Sequence, residues 1–292
     1  MRLKCFIYCL VLLLVIPAAA PAWHGVKPLQ SCGDASLQQG LEQCLAGLGL
    51  DAAVSRQELC VALVDITDPA NPQMAGVNAD TMIYAASLPK IAILLGAFEK
   101  INRGELKLDA GTKGTLERMI RNSSNRAATE MLDLVGRDFL LELLQSEPYR
   151  LYDKEHGGGL WVGKPYGKSP AFKRDPLYNL SHGATAFQVA RFYYLLENGQ
   201  LVSPEMSRVM KEIMGRPAIH HKFVRGLESQ KPGAEIFRKS GSWREYHADS
   251  AIVERDGRKY IAVALARSTQ GESWLQRLIV GLDEVIFTCA SQ

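Results

Sequence analysis

The chain has 292 residues, 47% of them apolar and 22% charged, with 34 basic residues against 31 acidic ones and a formal net charge of +3. This composition excludes a disordered chain, a collagen-like fibre and a polytopic membrane protein. So small a net charge, with no run of Lys or Arg, also excludes the electrostatic footprint of a nucleic-acid binder. Nothing in the totals calls for a metal or a redox cofactor.

Arg2 and Lys4 precede a continuous apolar run over residues 5–16, too short to be comfortable as a spanning helix. Pro17 breaks the run, and Ala20-Pro21-Ala22 places small residues where a signal peptidase reads. The expectation is a leader over 1–22, a mature monomer beginning near Trp23, periplasmic or secreted, and no stable membrane anchor after cleavage. Cys5 and Cys9 leave with the leader, and Cys32, Cys44, Cys60 and Cys289 remain. Four cysteines in an exported chain predict two disulfides, with three pairings open, at least one of them tying the two ends together.

Taken in order, residues 37–50 have helical apolar spacing, and 59–67 (LCVALVDIT) read as a buried strand. Residues 81–85 look like its partner strand. Residues 91–101 are an apolar helix stopped by Arg103-Gly104. Two short helices, 115–120 and 126–135, are split by Asn122-Ser123-Ser124-Asn125. Residues 147–180 show no period and read as a loop long enough to suggest a functional excursion. Helices follow at 185–196 and 204–214. Strands are predicted at 236–243, 247–253 and 259–266, with Asp256-Gly257 as the turn between the last two. An amphipathic helix over 274–287 ends the chain. A sheet split around a helical insertion predicts an α+β domain, its α/β part near 35–85 and 225–290 and its helical part near 86–224, with terminal helices covering one sheet face.

Three short motifs carry candidate chemistry. In Ser87-Leu88-Pro89-Lys90, a serine at a helix start and a lysine three residues on share one helical face. A serine hydroxyl needs a base to become a nucleophile. A lysine is that base only if burial or nearby positive charge lowers its pKa from about 10.4. Ser123-Ser124-Asn125 offers a hydroxyl and a carboxamide at a helix junction. Lys239-Ser240-Gly241 ends a predicted strand, and a glycine there admits a close approach to the strand edge. Each alone has an ordinary structural explanation: an N-cap, a polar junction, a solvated charge.

In this order the three motifs resemble the signature of the penicillin-recognising serine enzymes. The likeness is greatest to class A β-lactamases and their compact relatives, and runs from Leu37 to Phe287. It implies a β-lactamase/transpeptidase-like α+β fold, an antiparallel sheet covered by terminal helices plus a helical subdomain. It also implies Ser87 as acylated nucleophile, Lys90 as base or proton relay, Ser123 as proton shuttle and Asn125 as holder of the substrate's amide side chain. Lys239 would meet a substrate carboxylate and polarise Ser123. Ser240 would touch that carboxylate, and the amides of Ser87 and Ser242 would form an oxyanion hole beside Gly241. From the residues themselves, Arg238 and Arg244 flank Lys239 and either could assist carboxylate binding, Arg244 the better candidate if strand alternation continues through Ser242. No cofactor or metal is implied.

Three departures qualify the resemblance. No Glu-x-x-Leu-Asn run supplies the deacylation carboxylate; of the loop acids Glu147, Asp153, Glu155 and Asp175, Glu155 is the candidate water base. The interval between the first two motifs is short, which implies an open site. Ser124 stands where the family has Asp. Aromatics Trp161, Tyr166, Phe172 and Tyr178 with Lys164, Lys168, Lys173 and Arg174 in the long loop suggest a replacement wall favouring an anionic ligand. The expected function is a secreted serine acyl-enzyme hydrolase acting on a small molecule, either a β-lactam or a peptidoglycan-like amide or ester that bears a carboxylate. The alternatives are a D,D-peptidase or esterase with slow deacylation, a non-turnover covalent β-lactam sensor, and a pseudoenzyme.

Overall fold

The computed structural model describes residues 26–289, so the expected leader lies outside the described residues. Helix α1 (Ala35–Gly47) begins where the Asp34 carboxylate accepts from the Leu37 amide at 2.8 Å, satisfying one of the free N–H groups of a helix start. It turns Leu37, Leu41 and Leu45 inward. After short α2 (Asp51–Ser55), strand β1 (Leu59–Asp65) is apolar on both faces. Leu59, Val61 and Leu63 enter one core, and Cys60, Ala62 and Val64 enter a second. A strand of this kind must be covered on both sides. It pairs antiparallel with β2 (Gln73–Val77).

The chain then leaves this sheet. Strand β3 (Ile83–Tyr84) leads into a block of helices α3 (Lys90–Asn102), α4 (Ala110–Ile120), α5 (Asn125–Val135) and α6 (Arg137–Gln145). The long loop carries a two-residue ladder of β4 (Tyr152–Asp153) with β5 (Gly158–Gly159), followed by β6 (Trp161–Val162). β7 (His182–Ala184) pairs with both β3 and β6 in a small second sheet. Helices α7 (Ala186–Glu197), α8 (Pro204–Met214) and α9 (Phe223–Gln230) complete the insertion.

The chain returns as a meander of β8 (Glu235–Trp243), β9 (Tyr246–Arg255) and β10 (Arg258–Arg267), and closes with α10 (Gly271–Cys289). The main sheet has the order β2-β1-β10-β9-β8 and is antiparallel throughout. Asp256 and Gly257 both take positive φ at the β9–β10 turn, as a two-residue hairpin of right-twisted strands requires. Ala262, Ala264 and Ala266 on β10 leave room for Leu275, Leu278 and Leu282 of α10 in one core. Ile261, Val263 and Leu265 face the other, where α7 and α3 pack. Each large aliphatic side chain fully buried in these cores contributes about 1.5–3 kcal/mol relative to exposure.

Several expectations are corrected. Segment 81–85 does not partner β1: it pairs with β7, while the strand beside β1 is β2, whose Gly76 and flanking polar residues hide its pattern. The loop over 147–180 is partly ordered into short strands, and α2, α6 and α9 were not foreseen. The expected pair of disulfides is also not found. Cys32, Cys44 and Cys60 are free thiols, and the Cys289 side chain lies outside the described ones. Cys32 and Cys60 belong to one core, whereas Cys44 packs on Gly281 of α10 across the sheet.

The contact of α9 with α10 depends on Gly226. A Cβ at that position would lie 2.6 Å from Ile279 Cγ2 and against the Gln276 carbonyl. Gly226→Val is expected to destabilise the fold by about 1–3 kcal/mol, as overpacking does, read as a lower urea midpoint; an unchanged midpoint would contradict this packing.

Candidate active site

Ser87 sits on a tight turn between β3 and α3. Ala86 takes φ +50°, the Ala85 amide donates to His182 O at 3.0 Å, and the Leu88 amide donates to Ala85 O at 3.0 Å. Leu88 is fully buried and pins the turn, so Ser87 is left half-buried at its apex. Pro89 costs no hydrogen bond at a helix start. Lys90 opens α3, which is buried on all sides over residues 90–98. Its amine is therefore placed in a dry interior, and burial pushes its pKa down to about 7.

The second motif reaches this amine from the α4–α5 junction. Ser123 takes φ +54°, while Ser124 caps α5 by accepting from the Ala127 amide at 3.2 Å. Serine at 124 thus does the capping that an aspartate would do there. Lys90 Nζ donates to Ser123 O at 2.6 Å and to Asn125 Oδ1 at 2.9 Å, and lies 3.4 Å from Ser123 Oγ. The third motif approaches from the other side. Lys239 Nζ donates to Ser123 Oγ at 2.9 Å and to Ser240 O at 2.7 Å. Burial, followed by the charge of Lys90, holds its pKa well below the ordinary lysine value. Two buried amines therefore converge on one hydroxyl, beside the turn that carries Ser87. None of the hydrogen bonds among the described residues engages the Ser87 hydroxyl itself.

Gly241 fixes the distance between β8 and that turn. A Cβ there would come 2.9 Å from both the Ser87 and Leu88 amides and would strike Ala85 O. β8 is the edge strand, and the two-residue turn Arg244-Glu245 closes its hairpin with β9 at the pair Trp243↔Tyr246. Alternation of the antiparallel ladder then turns the Ser242 N–H away from β9. The Ser87 and Ser242 amides thus border the same small space.

A cleft of about 590 Å³ opens over Ser87, bordered by Asn125 and Ser242, by the aromatic side chains of Tyr84, Tyr166, Trp243 and Tyr246, and by Lys164 and Lys168. No Asp or Glu is among the described residues that border it. Of the loop side chains named from the sequence, Lys164, Tyr166 and Lys168 reach the cleft, whereas Trp161 is core. Phe172 packs on the core and lies under the Arg137 guanidinium. Tyr166 lies with its ring 4.5 Å from Lys90 Nζ and stacks on His182, whose burial drives its pKa down to about 4 and keeps it neutral.

Other expected positions fall elsewhere. Glu155 is exposed on a short 3-10 turn (Lys154–His156) and does not border the cleft. Asp175 is buried as a structural anchor, accepting from the Tyr152 hydroxyl and from the amides of Leu177 and Tyr178. Arg244 lies in the hairpin turn, because β8 ends one residue before it, and its guanidinium is exposed over Trp243. Ser240 is buried on the face opposite Lys239, its hydroxyl 3.2 Å from His221 Nε2. Arg238, the other candidate for a substrate carboxylate, is instead committed behind β8, where sequence reasoning missed its partner. Arg238 and Asp249 form a buried bidentate ion pair, with both contacts at 2.7 Å. Asp249, an acid inside an apolar strand, was the one local signal for it. Among the described residues, no group of three or more His, Cys, Asp or Glu could hold a metal ion.

Gly241→Ala must displace the turn that carries Ser87. An ångström of misplacement is expected to slow labelling of Ser87 by a serine-reactive probe by about 10²-fold, with folding retained by circular dichroism; labelling at the wild-type rate would contradict the close approach.

The chain matches the profile of the family described as "Beta-lactamase enzyme family" over residues 50–113 and 112–281. No curated protein matches its sequence. Among solved structures it is similar to PBP-A, with 19% identity over 88% of this chain and 97% of that one at a TM-score of 0.64. A PBP-A variant solved as an acyl-enzyme complex with penicillin G shares 18% identity over 91% and 99% of the two chains, TM-score 0.65. A β-lactamase from Sphaerobacter thermophilus shares 16% over 85% and 98%, TM-score 0.63. At these identities the structural likeness concerns the fold. The family match covers most of the chain and spans all three motifs: this protein belongs to the β-lactamase enzyme family and is a β-lactamase-like serine hydrolase.

Proposed function

We propose that Ser87 is acylated by a β-lactam or a related amide or ester bearing a carboxylate, and that the resulting ester is released slowly. The observation that carries this reading is the Ser123 hydroxyl held between the buried amines of Lys90 and Lys239, next to the Ser87 turn. A neutral Lys90 spends its two N–H groups on Ser123 O and Asn125 Oδ1. Its lone pair is left to take the Ser87 proton. The Ser87 oxygen then bonds to the substrate carbonyl carbon, and the oxyanion is received by the Ser87 and Ser242 amides. As the C–N or C–O bond breaks, Ser123 gives its proton to the leaving atom and regains one from the neighbouring lysines. Lys239, held toward its neutral form by burial, gains its charge when a substrate carboxylate arrives.

Slow release follows from what borders the cleft. A deacylating water needs a base within hydrogen-bond reach, and no described carboxylate borders the site. A PBP-A variant of similar fold, solved as an acyl-enzyme complex with penicillin G, supports this reading. Export to the periplasm or medium is part of the proposal and rests on the leader-like residues 1–22. A single-shot covalent binder is the second reading, favoured by the same lack of a carboxylate; steady-state release of hydrolysed product separates the two.

Incubation with a fluorescent penicillin is expected to add one acyl group at Ser87 by intact mass, lost in Ser87→Ala, with the adduct outlasting its formation by orders of magnitude. Because the base is the neutral form of Lys90, the acylation rate is expected to rise with pH through about 7, and Lys90→Met is expected to abolish that rise together with most of the rate. A rate that falls with pH across this range, or a Ser87-independent adduct, would overturn the reading.

A further inference from the structure

Behind the motif strand, on the side away from Ser87, lies a lysine that the three motifs do not include. Lys222 is fully buried, and its three ammonium donors meet three uncharged oxygens: Gly241 O at 2.6 Å, Ser242 Oγ at 2.8 Å and Ala248 O at 3.1 Å. Among the described residues no carboxylate forms an ion pair with it. The Asp249 carboxylate close by is committed to Arg238 in a bidentate pair. The other charged or titratable groups around it are Glu272 on α10, 3.6 Å from His221, His221 and His247 themselves, and Lys239 on the motif strand. Three oxygens within hydrogen-bond reach match the three N–H groups of an ammonium, and burial lowers the amine only to about 8, with Asp249 opposing the fall. Its backbone sits at φ +50°, where a lysine is strained. A buried charge on neutral oxygens, held by a strained residue, is a costly way merely to fill space.

The carbonyl it binds explains the arrangement. In a trans peptide the C=O of one residue and the N–H of the next point in opposite directions. The Gly241 C=O turned toward Lys222 therefore belongs to the same peptide unit as the Ser242 N–H turned toward the cleft. A charge-assisted hydrogen bond on the carbonyl draws electron density from the nitrogen and makes its N–H a stronger donor. The ladder pair Gly241↔Ala248 already holds that peptide in the sheet, and the lysine adds a second hydrogen bond to the same carbonyl.

We propose that Lys222 is a positioning residue for the oxyanion site: by donating to the Gly241 carbonyl it polarises and further restrains the peptide whose N–H, that of Ser242, receives the charge developing on the substrate carbonyl. This rests on the reading of Ser87 as the acylated nucleophile.

The test compares wild type, Lys222→Met and Lys222→Gln, each checked for a folded state by thermal melting. Acylation by a fluorescent penicillin is timed, and the infrared stretch of the acyl ester carbonyl is recorded on the trapped adduct. Removing an oxyanion donor outright costs about 10²–10³ in rate, so weakening one is expected to cost about tenfold. In both variants the ester stretch is expected to move to higher wavenumber, because its carbonyl is less polarised. Lys222→Gln keeps a neutral donor and is expected to lie between the other two; it carries the comparison if Lys222→Met does not fold. A folded variant with the wild-type stretch overturns the proposal, whether or not its rate falls, since a purely structural role would leave the adduct's carbonyl unmoved. If wild type itself forms no Ser87 adduct, the proposed function fails first and this inference falls with it.

Discussion

Two lysine amines buried around one serine hydroxyl are the constraint from which the rest of this structure follows. Lys90 and Lys239 both lie out of water, and among the described residues neither pairs with a carboxylate. Burying an unpaired ammonium costs several kcal/mol, and proteins relieve that cost by shifting the pKa until the group is neutral. In the reaction we propose, the relief is also the chemistry, because a neutral amine is a base. The apolar all-round burial of α3 lowers the Lys90 amine to about 7, and burial lowers that of Lys239 as well.

Holding the amines there requires tight joints at few positions. Gly241 lets β8 lie against the Ser87 turn, and Ser123 accepts a positive φ so that its carbonyl and hydroxyl both face Lys90. Tyr166 from the long loop closes the opposite side of Lys90 with an aromatic face. That loop brings Lys164, Lys168 and an aromatic ring to the cleft, and no Asp or Glu among the described residues borders it, which is the basis of the slow release we propose.

Much of this was legible in the sequence, for local reasons. The short apolar, β-branched runs in 59–65 and 259–266 and the Asp256-Gly257 turn announce their strands and hairpin, because residue preference and turn chemistry are local properties. The order of Ser87-x-x-Lys90, Ser123-x-Asn125 and Lys239-Ser240-Gly241 located the elements of the site. What was not legible depends on pairing across long separations. β2 carries a glycine and weak alternation, so its place beside β1 emerges only from the sheet. The strand ends at Trp243 as predicted, but alternation along it does not carry over to Arg244, which falls in the turn with its guanidinium exposed over Trp243. Glu155 was chosen by composition, and the chain folds it to the exposed side of the loop. Lys222 lies in an irregular stretch without periodicity, and its meaning comes from carbonyls nineteen and twenty-six residues away.

The central claim is that Lys90 exchanges its proton near neutrality because it is buried. Titration of its Nζ by NMR, with lysine side chains labelled and the resonance assigned through Lys90→Arg, tests this without any substrate. The account predicts a midpoint at about 7. A midpoint near the ordinary lysine value of about 10.4 would leave Ser87 without its base and would contradict the account.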